Sequence, residues 1–192
     1  MNSRPAFTIG HSNHPLDVFL QLLAQHRIDT LADVRSAPYS RFNPHFNRKA
    51  LAAALETRGI RYAYFGKELG GRPDDPACFE NGRVSYERTA RTSRFRDGLG
   101  RLADAMTGRR IAIMCAEKEP LDCHRTLLVG HALDRQGIPV CHILANGNLE
   151  AHENAMDRLL AKHGLSPEGD LLTSRQDSID RAIALQTGLA GY

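Results

Sequence analysis

The chain has 192 residues, 42% apolar and 24% charged; this is close to one ordinary domain and excludes a mainly disordered chain. Its 25 basic and 22 acidic residues leave a net +3, too mild by itself to mark a nucleic-acid protein. No apolar run approaches the ~18–20 residues of a membrane span, and no signal core precedes Phe7, so the cytoplasm is the expected compartment and no membrane partner is expected. Four cysteines (Cys78, Cys115, Cys123, Cys141) are too few for a disulfide scaffold and read as reduced thiols.

Phe7-Thr8-Ile9, closed by Gly10, reads as a short buried strand. Behind Pro15, Leu16, Phe19, Leu20 and Leu23 share one helical face. Ile28 to Val34 is a second strand. Asn47 is placed to cap a helix carrying Leu51, Ala54 and Leu55, and Gly59 to stop it. Ile60, Tyr62 and Tyr64 alternate in a third strand. Residues 66–92, rich in Gly and Pro, read as an irregular stretch of the kind that forms lids and binding loops. Phe95, Leu99, Leu102 and Met106 then recur at helical spacing behind a cap at Thr92 or Ser93. Ile111 to Cys115 is the clearest strand. Leu127, Leu128, His131 and Ala132 mark a helix stopped by Gly137, and Val140 to Leu144 a fifth strand. Asn148 is expected to cap a last strong helix with Leu149, Met156, Leu159 and Leu160. A weaker helical pattern follows at Ile179, Ala182 and Ile183, packing on the body or on a partner. This alternation predicts one α/β domain over residues 1–192: three layers, a mainly parallel sheet of about five strands, helices on both faces and extra C-terminal helices.

In such a sheet, ligands bind outside the carboxyl ends of the strands, and the polar clusters fall there. Strand one ends in His11-Ser12-Asn13, strand two in Asp33-Val34-Arg35 with Tyr39 and Arg41 beyond, and strand three leads to Lys67 and Gly70-Gly71. The fourth ends in Cys115-Ala116-Glu117, with Cys123-His124-Arg125 behind it. Cys115 and Glu117, two apart on an extended chain, share one face. Cys123, opening the next helix with Asp122 as its cap, would meet unpaired N–H groups and Arg125, which favour a thiolate. That makes it a candidate nucleophile or ligand, with Glu117, His124, Asp33 and His11 available for proton transfer. Ser12, Arg35, Tyr39, Arg41, Lys67, Cys115 and Arg125 are the candidate substrate contacts. Against these stand plainer readings: Cys115 and Cys123 as small buried hydrophobes, and Arg35 as the ion-pair partner of Asp33 or Glu117.

His11, Cys115, Cys123 and His124 offer a Cys2His2 set suited to zinc or iron. The Cys-x7-Cys spacing is neither ribbon nor finger, however, and neighbours in a helix point about 100° apart. No metal ligand is therefore assigned, and the cofactor is left unknown, with zinc or iron as an alternative. No Gly-x-Gly-x-x-Gly or Walker loop supports a nucleotide cofactor. Residues 83–110 hold eight Arg against three acidic residues, a local +5. They fit either a nucleic-acid face or a solvated helix surface. Cys141 is expected in the core, and Cys78 as an incidental exposed thiol.

The run Thr8-Ile9-Gly10-His11-Ser12, then Asp33-Val34-Arg35 with Pro38 and Ser40, Leu69-Gly70-Gly71, Cys115-x-Glu117, Cys123-His124-Arg125 and His142-Ile143 resembles one known family. It is catalogued as domain of unknown function four-eight-eight. The resemblance spans about residues 6–145 as the family core and leaves 146–192 as a helical extension. It implies an α/β domain with a parallel-type sheet and motif positions at His11, Ser12, Asp33, Arg35, Glu117, Cys123, His124 and Arg125, but no reaction. The expectation is a hydrolase or group transferase acting on a small anionic or nucleotide-like substrate. Cys123 would be its nucleophile, Glu117 or His124 its acid/base, and Arg35 with Arg125 its anion clamp. The alternatives are a nucleic-acid-processing or binding domain and a metal-dependent protein. A homodimer is the base-rate expectation.

Overall fold

The apolar runs become strands of one sheet, and the amphipathic segments between them cover its faces. The computed structural model describes residues 5–168 and 173–189. In chain order, β1 (Ala6–Gly10), α1 (Leu16–Gln25), β2 (Thr30–Asp33), α2 (Arg48–Glu56) and β3 (Arg61–Tyr64) are followed by a short α3 (Gly66–Leu69). A hairpin of β4 (Phe79–Glu80) and β5 (Arg83–Val84) leads to α4 (Tyr86–Arg91), α5 (Ser93–Met106) and β6 (Ile111–Cys115). A π-helical segment, Arg125–Gly130, runs into α6 (His131–Asp134), and β7 (Val140–Ile143), β8 (Leu149–Ala151), α7 (His152–Lys162) and α8 (Arg175–Leu189) complete the order.

The main sheet has the order β3-β2-β6-β1-β7-β8 and is parallel except for β8. The central strands β1, β2 and β6 are buried along their whole length, as a parallel sheet covered on both faces requires. Period-two alternation divides their side chains. Phe7, Ile9, Leu31 and Met114 pack with Phe19, Leu20, Leu23, Leu51 and Leu55 of α1 and α2. Ala32, Ile111, Ile113 and Cys115 pack on the other side with Phe95, Leu99, Leu102, Leu127, Met156 and Leu159. Ile179, Ala182 and Ile183 of α8 join that second core, so the tail packs on the body. No helix among the described residues is long and apolar enough to cross a membrane.

Several local expectations are corrected. Asn148 does not cap a helix: Leu144 N–H donates to its carbonyl at 2.9 Å, and Leu149–Ala151 turns back as a sixth, antiparallel strand. Helix α7 begins only at His152. Asn47 does precede α2, but its Oδ1 accepts from Ser40 N–H at 2.6 Å instead of capping the helix. Thr92 caps α5 as read, accepting from Phe95 N–H. The stretch 66–92 is not structureless, since it holds α3, the β4–β5 hairpin around Asn81-Gly82, and α4, which Ser85 caps. Cys78 is buried in it rather than exposed, and Cys141 is only partly buried.

Candidate functional site

Two polar clusters occupy the carboxyl ends of β1, β2 and β6, one on each face of the sheet. The first belongs to the α1–α2 face, where alternation carries His11 beyond Phe7 and Ile9, and Asp33 beyond Leu31. Asp33 Oδ1 accepts from the backbone N–H and Nε of Arg35 at 3.0 and 2.9 Å. Its Oδ2 accepts from Arg35 Nη2 and the Tyr62 hydroxyl, both at 2.7 Å. Arg35 also donates to the Phe46 carbonyl at 2.9 Å and from Nη1 to His11 Nε2 at 3.2 Å. His11 Nδ1–H donates to Ser12 O at 2.8 Å, which fixes its neutral tautomer, and its ring stacks on Phe46 with centroids 4.3 Å apart. Burial, with the Arg35 charge beside it, pushes the His11 pKa down to about 4. The ion pair foreseen for Arg35 is therefore made with Asp33, and the guanidinium is largely spent inside the protein.

The second cluster lies on the opposite face. Cys115 ends β6 in the row of Ile111 and Ile113. Cys123 has an extended backbone (φ −137°, ψ 137°), and helical geometry begins only at His124 (φ −60°, ψ −24°). The expectation that Cys123 lies inside a helix is corrected, and with it the argument that neighbouring Cys123 and His124 must diverge. Asp122 is no cap either: its Oδ1 accepts from Gln186 Nε2 at 3.0 Å. His124 Nδ1 stands 3.5 Å from Cys115 Sγ and 3.8 Å from Cys123 Sγ. Cys123 Sγ donates to Glu117 Oε2 at 2.9 Å. One donor atom from each of Cys115, Glu117, Cys123 and His124 lies within 4.8 Å of every other.

Backbone and second-layer contacts hold this group together. His124 Nε2–H donates to Val34 O at 3.0 Å, leaving Nδ1 turned toward the sulfurs. Arg125 N–H donates to Cys123 Sγ at 3.4 Å. The Arg125 side chain is completely buried and donates to the Glu117 and Lys118 carbonyls at 2.6 and 3.2 Å. It clamps the turn after β6 rather than an external anion, and its Nε has no partner. Two glycines permit the close approach: a Cβ at Gly10 would lie 1.9 Å from Glu117 O, and one at Gly71 2.8 Å from His124 Cγ. Burial opposes ionisation of Cys123, but the Cys115 hydrogen bond and the charges of Arg125 and His124 outweigh it and hold its thiol well below the usual range. Burial and the neighbouring Cys123 push Cys115 well up, and they raise Glu117 as well.

The side chains of the remaining expected site residues are not drawn into either cluster. Ser12, with φ +48°, donates to Asn13 Oδ1 at 3.2 Å. Tyr39 and Arg41 are exposed on the loop after β2, and Lys67 is exposed on α3. Phe46, Tyr62 and the Val34 carbonyl escaped sequence reading; of these, only Tyr62 carried a signal, as a polar aromatic in a strand. Half of the eight Arg residues in the stretch 83–110 are paired with carboxylates: Arg88, Arg91, Arg94 and Arg101 are bound to Glu80, Glu87, Asp74 and Glu68. A groove of about 940 Å³ lined by Tyr86, Leu127, His131 and Ile183 lies on the α8 side and includes none of the four converging donors. It is large enough for a ligand, whereas the converging donors lie at the strand ends.

Residues 15–132 match the family described as Domain of unknown function DUF488. The matched stretch holds Asp33, Arg35, Gly70-Gly71 and Cys115 through Arg125, and begins after His11 and Ser12. No curated protein and no solved structure matches the chain.

Proposed function

The chain belongs to the family described as Domain of unknown function DUF488, and from the geometry of its strand ends we propose a metal-dependent enzyme of hydrolytic or group-transfer type. Its ligands are Cys115, Cys123 and His124, with Glu117 as an exchangeable fourth, for zinc or ferrous iron. The convergence of four donors within 4.8 Å carries this reading.

The spacing fits the ion. Tetrahedral zinc with bonds of ~2.3 Å to sulfur and ~2.05 Å to nitrogen separates those two atoms by ~3.6 Å. The two Sγ–Nδ1 distances are 3.5 and 3.8 Å. The Cys123–Glu117 contact is shorter, at 2.9 Å; there a proton now joins groups that the ion would separate. The His124–Val34 hydrogen bond is the outer contact that a metal-bound imidazole typically makes. The charges also balance. Two thiolates and a carboxylate carry −3, which a divalent ion and buried Arg125 cancel.

Complete burial of Cys123 favours ligation over attack on a substrate. Two Cys and one His with a displaceable fourth ligand is a catalytic pattern, because the open position admits water or substrate. Glu117 is the most accessible of the four, so on leaving the ion it would serve as general base.

Elemental analysis of protein purified without chelators or metal-affinity resin tests the reading. The expected result is about one equivalent of zinc or iron, lost in Cys115→Ser and Cys123→Ser while circular dichroism stays unchanged. A metal-free wild type that takes up no zinc or ferrous iron on titration, or folded variants that keep the metal, would overturn it.

A further inference from the structure

We infer that the loop between β2 and α2 is a docking surface for single-stranded nucleic acid, presented to the strand-end centre. This names the substrate class of the centre proposed above and rests on that reading only for the chemistry; binding can be measured without it.

The observations concern residues 37–49 and their neighbour Arg72. Phe42 is 87% and Tyr39 70% exposed, the two most exposed large hydrophobic side chains among the described residues. Their exposure is built in. Ser40 N–H donates to Asn47 Oδ1, Asn43 N–H to Ser40 Oγ at 3.0 Å, and Arg48 N–H to Pro38 O at 3.1 Å. These bonds pin the loop while leaving both rings outward, so little ordering is needed on binding.

Charge points to the kind of partner. No Asp or Glu occurs between Asp33 and Glu56. Arg41, Arg48, Lys49 and Arg72 are exposed, and none has a carboxylate partner among the described residues. Four of the five Arg residues of α4 and α5 differ: Arg88, Arg91, Arg94 and Arg101 each have one. Arg41 lies over the Phe42 ring at 5.8 Å. Exposed aromatic faces interleaved with unpaired guanidinium groups suit stacked bases and their phosphates. A duplex hides its base faces and would leave the two rings unused.

The surface adjoins the cluster. It begins three residues after Val34, whose carbonyl holds His124, and Arg72 N–H is fixed to Ser36 Oγ at 3.0 Å. A strand lying across the loop would thus pass the carboxyl end of β2, where the Val34 carbonyl holds His124.

Fluorescence anisotropy with a labelled 12-nucleotide oligo-uridylate, oligo-thymidylate and a duplex of the same length tests this. Single strands should bind more tightly than the duplex, with affinity falling steeply as salt rises. Tyr39→Ala/Phe42→Ala, two exposed positions, should weaken single-strand binding roughly tenfold or more. Arg41→Ala/Lys49→Ala should flatten the salt dependence by about two counterions. Wild type before and after chelator treatment should bind the single strands alike, so failure of the metal reading and failure of this one are read separately. No binding at low salt, equal binding by the aromatic double variant, or equal binding of polyglutamate would each overturn the inference, the last by assigning the surface to an acidic protein.

Discussion

Two buried polar clusters sit back to back at one end of the sheet, and they differ in how completely they are satisfied. Around Asp33, four donors fill the carboxylate's acceptor positions, the Arg35 charge is cancelled at 2.7 Å, and His11 is held neutral. Around Cys123, two thiols and a carboxyl group crowd one imidazole nitrogen. A fully buried guanidinium nearby faces backbone carbonyls and no carboxylate. A satisfied network rigidifies a fold, whereas sulfur, nitrogen and carboxylate donors converging on one point suit a cation. The same residue classes thus do structural work on one face and form a ligand set on the other.

The largest separation of the two is expected from Asp33→Asn, which leaves Arg35 buried without its countercharge. Urea unfolding should show a loss of about 3–5 kcal/mol, with metal content of the folded protein unchanged. If the metal were lost with the fold intact, the clusters would not be independent.

The next effect is in pH. His11 has a pKa of about 4 in the folded protein against 6.5 when unfolded, so the unfolded chain binds the extra proton between these values. Its contribution is intact above pH 6.5 and falls away toward pH 4, by roughly 3 kcal/mol in all. His152, pushed down to about 3 by burial, and His142, lowered by burial and by His152, also lose stability on acidification. The measurement is therefore the difference between wild type and His11→Asn across this range. Parallel curves for the two proteins would show that His11 is not held neutral.

On the other face, Gly71→Ala places a methyl group against the His124 ring. Competition with a chromophoric chelator should show metal affinity lowered ~10–100-fold. Unchanged affinity would remove His124 from the ligand set. The smallest expected effect belongs to Tyr62→Phe, which deletes one of four hydrogen bonds to Asp33. It should cost ~1 kcal/mol in chemical unfolding and leave metal binding untouched. A loss as large as that of Asp33→Asn would make Tyr62 the keystone of that network.

The sequence by itself determined the five parallel strands, the helices that cover them, and the residues at the strand ends. Those features follow from local periodicity: apolar alternation sets the strands, and polar residues collect where strands emerge. The antiparallel β8 was not legible, because Asn148 serves a turn as readily as a helix cap and tertiary hydrogen bonding made the choice. The partners within the site were likewise decided only by the folded chain. His11 was grouped with the cysteines, yet it follows Phe7 and Ile9 on the α1 face and binds Arg35. Glu117 takes the place expected for it among the four donors. Cys123 and His124 converge because the backbone is extended at one and helical at the next. Adjacency in sequence does not fix which face a side chain takes once the strand has ended; register between strands and the first turn of the following helix do.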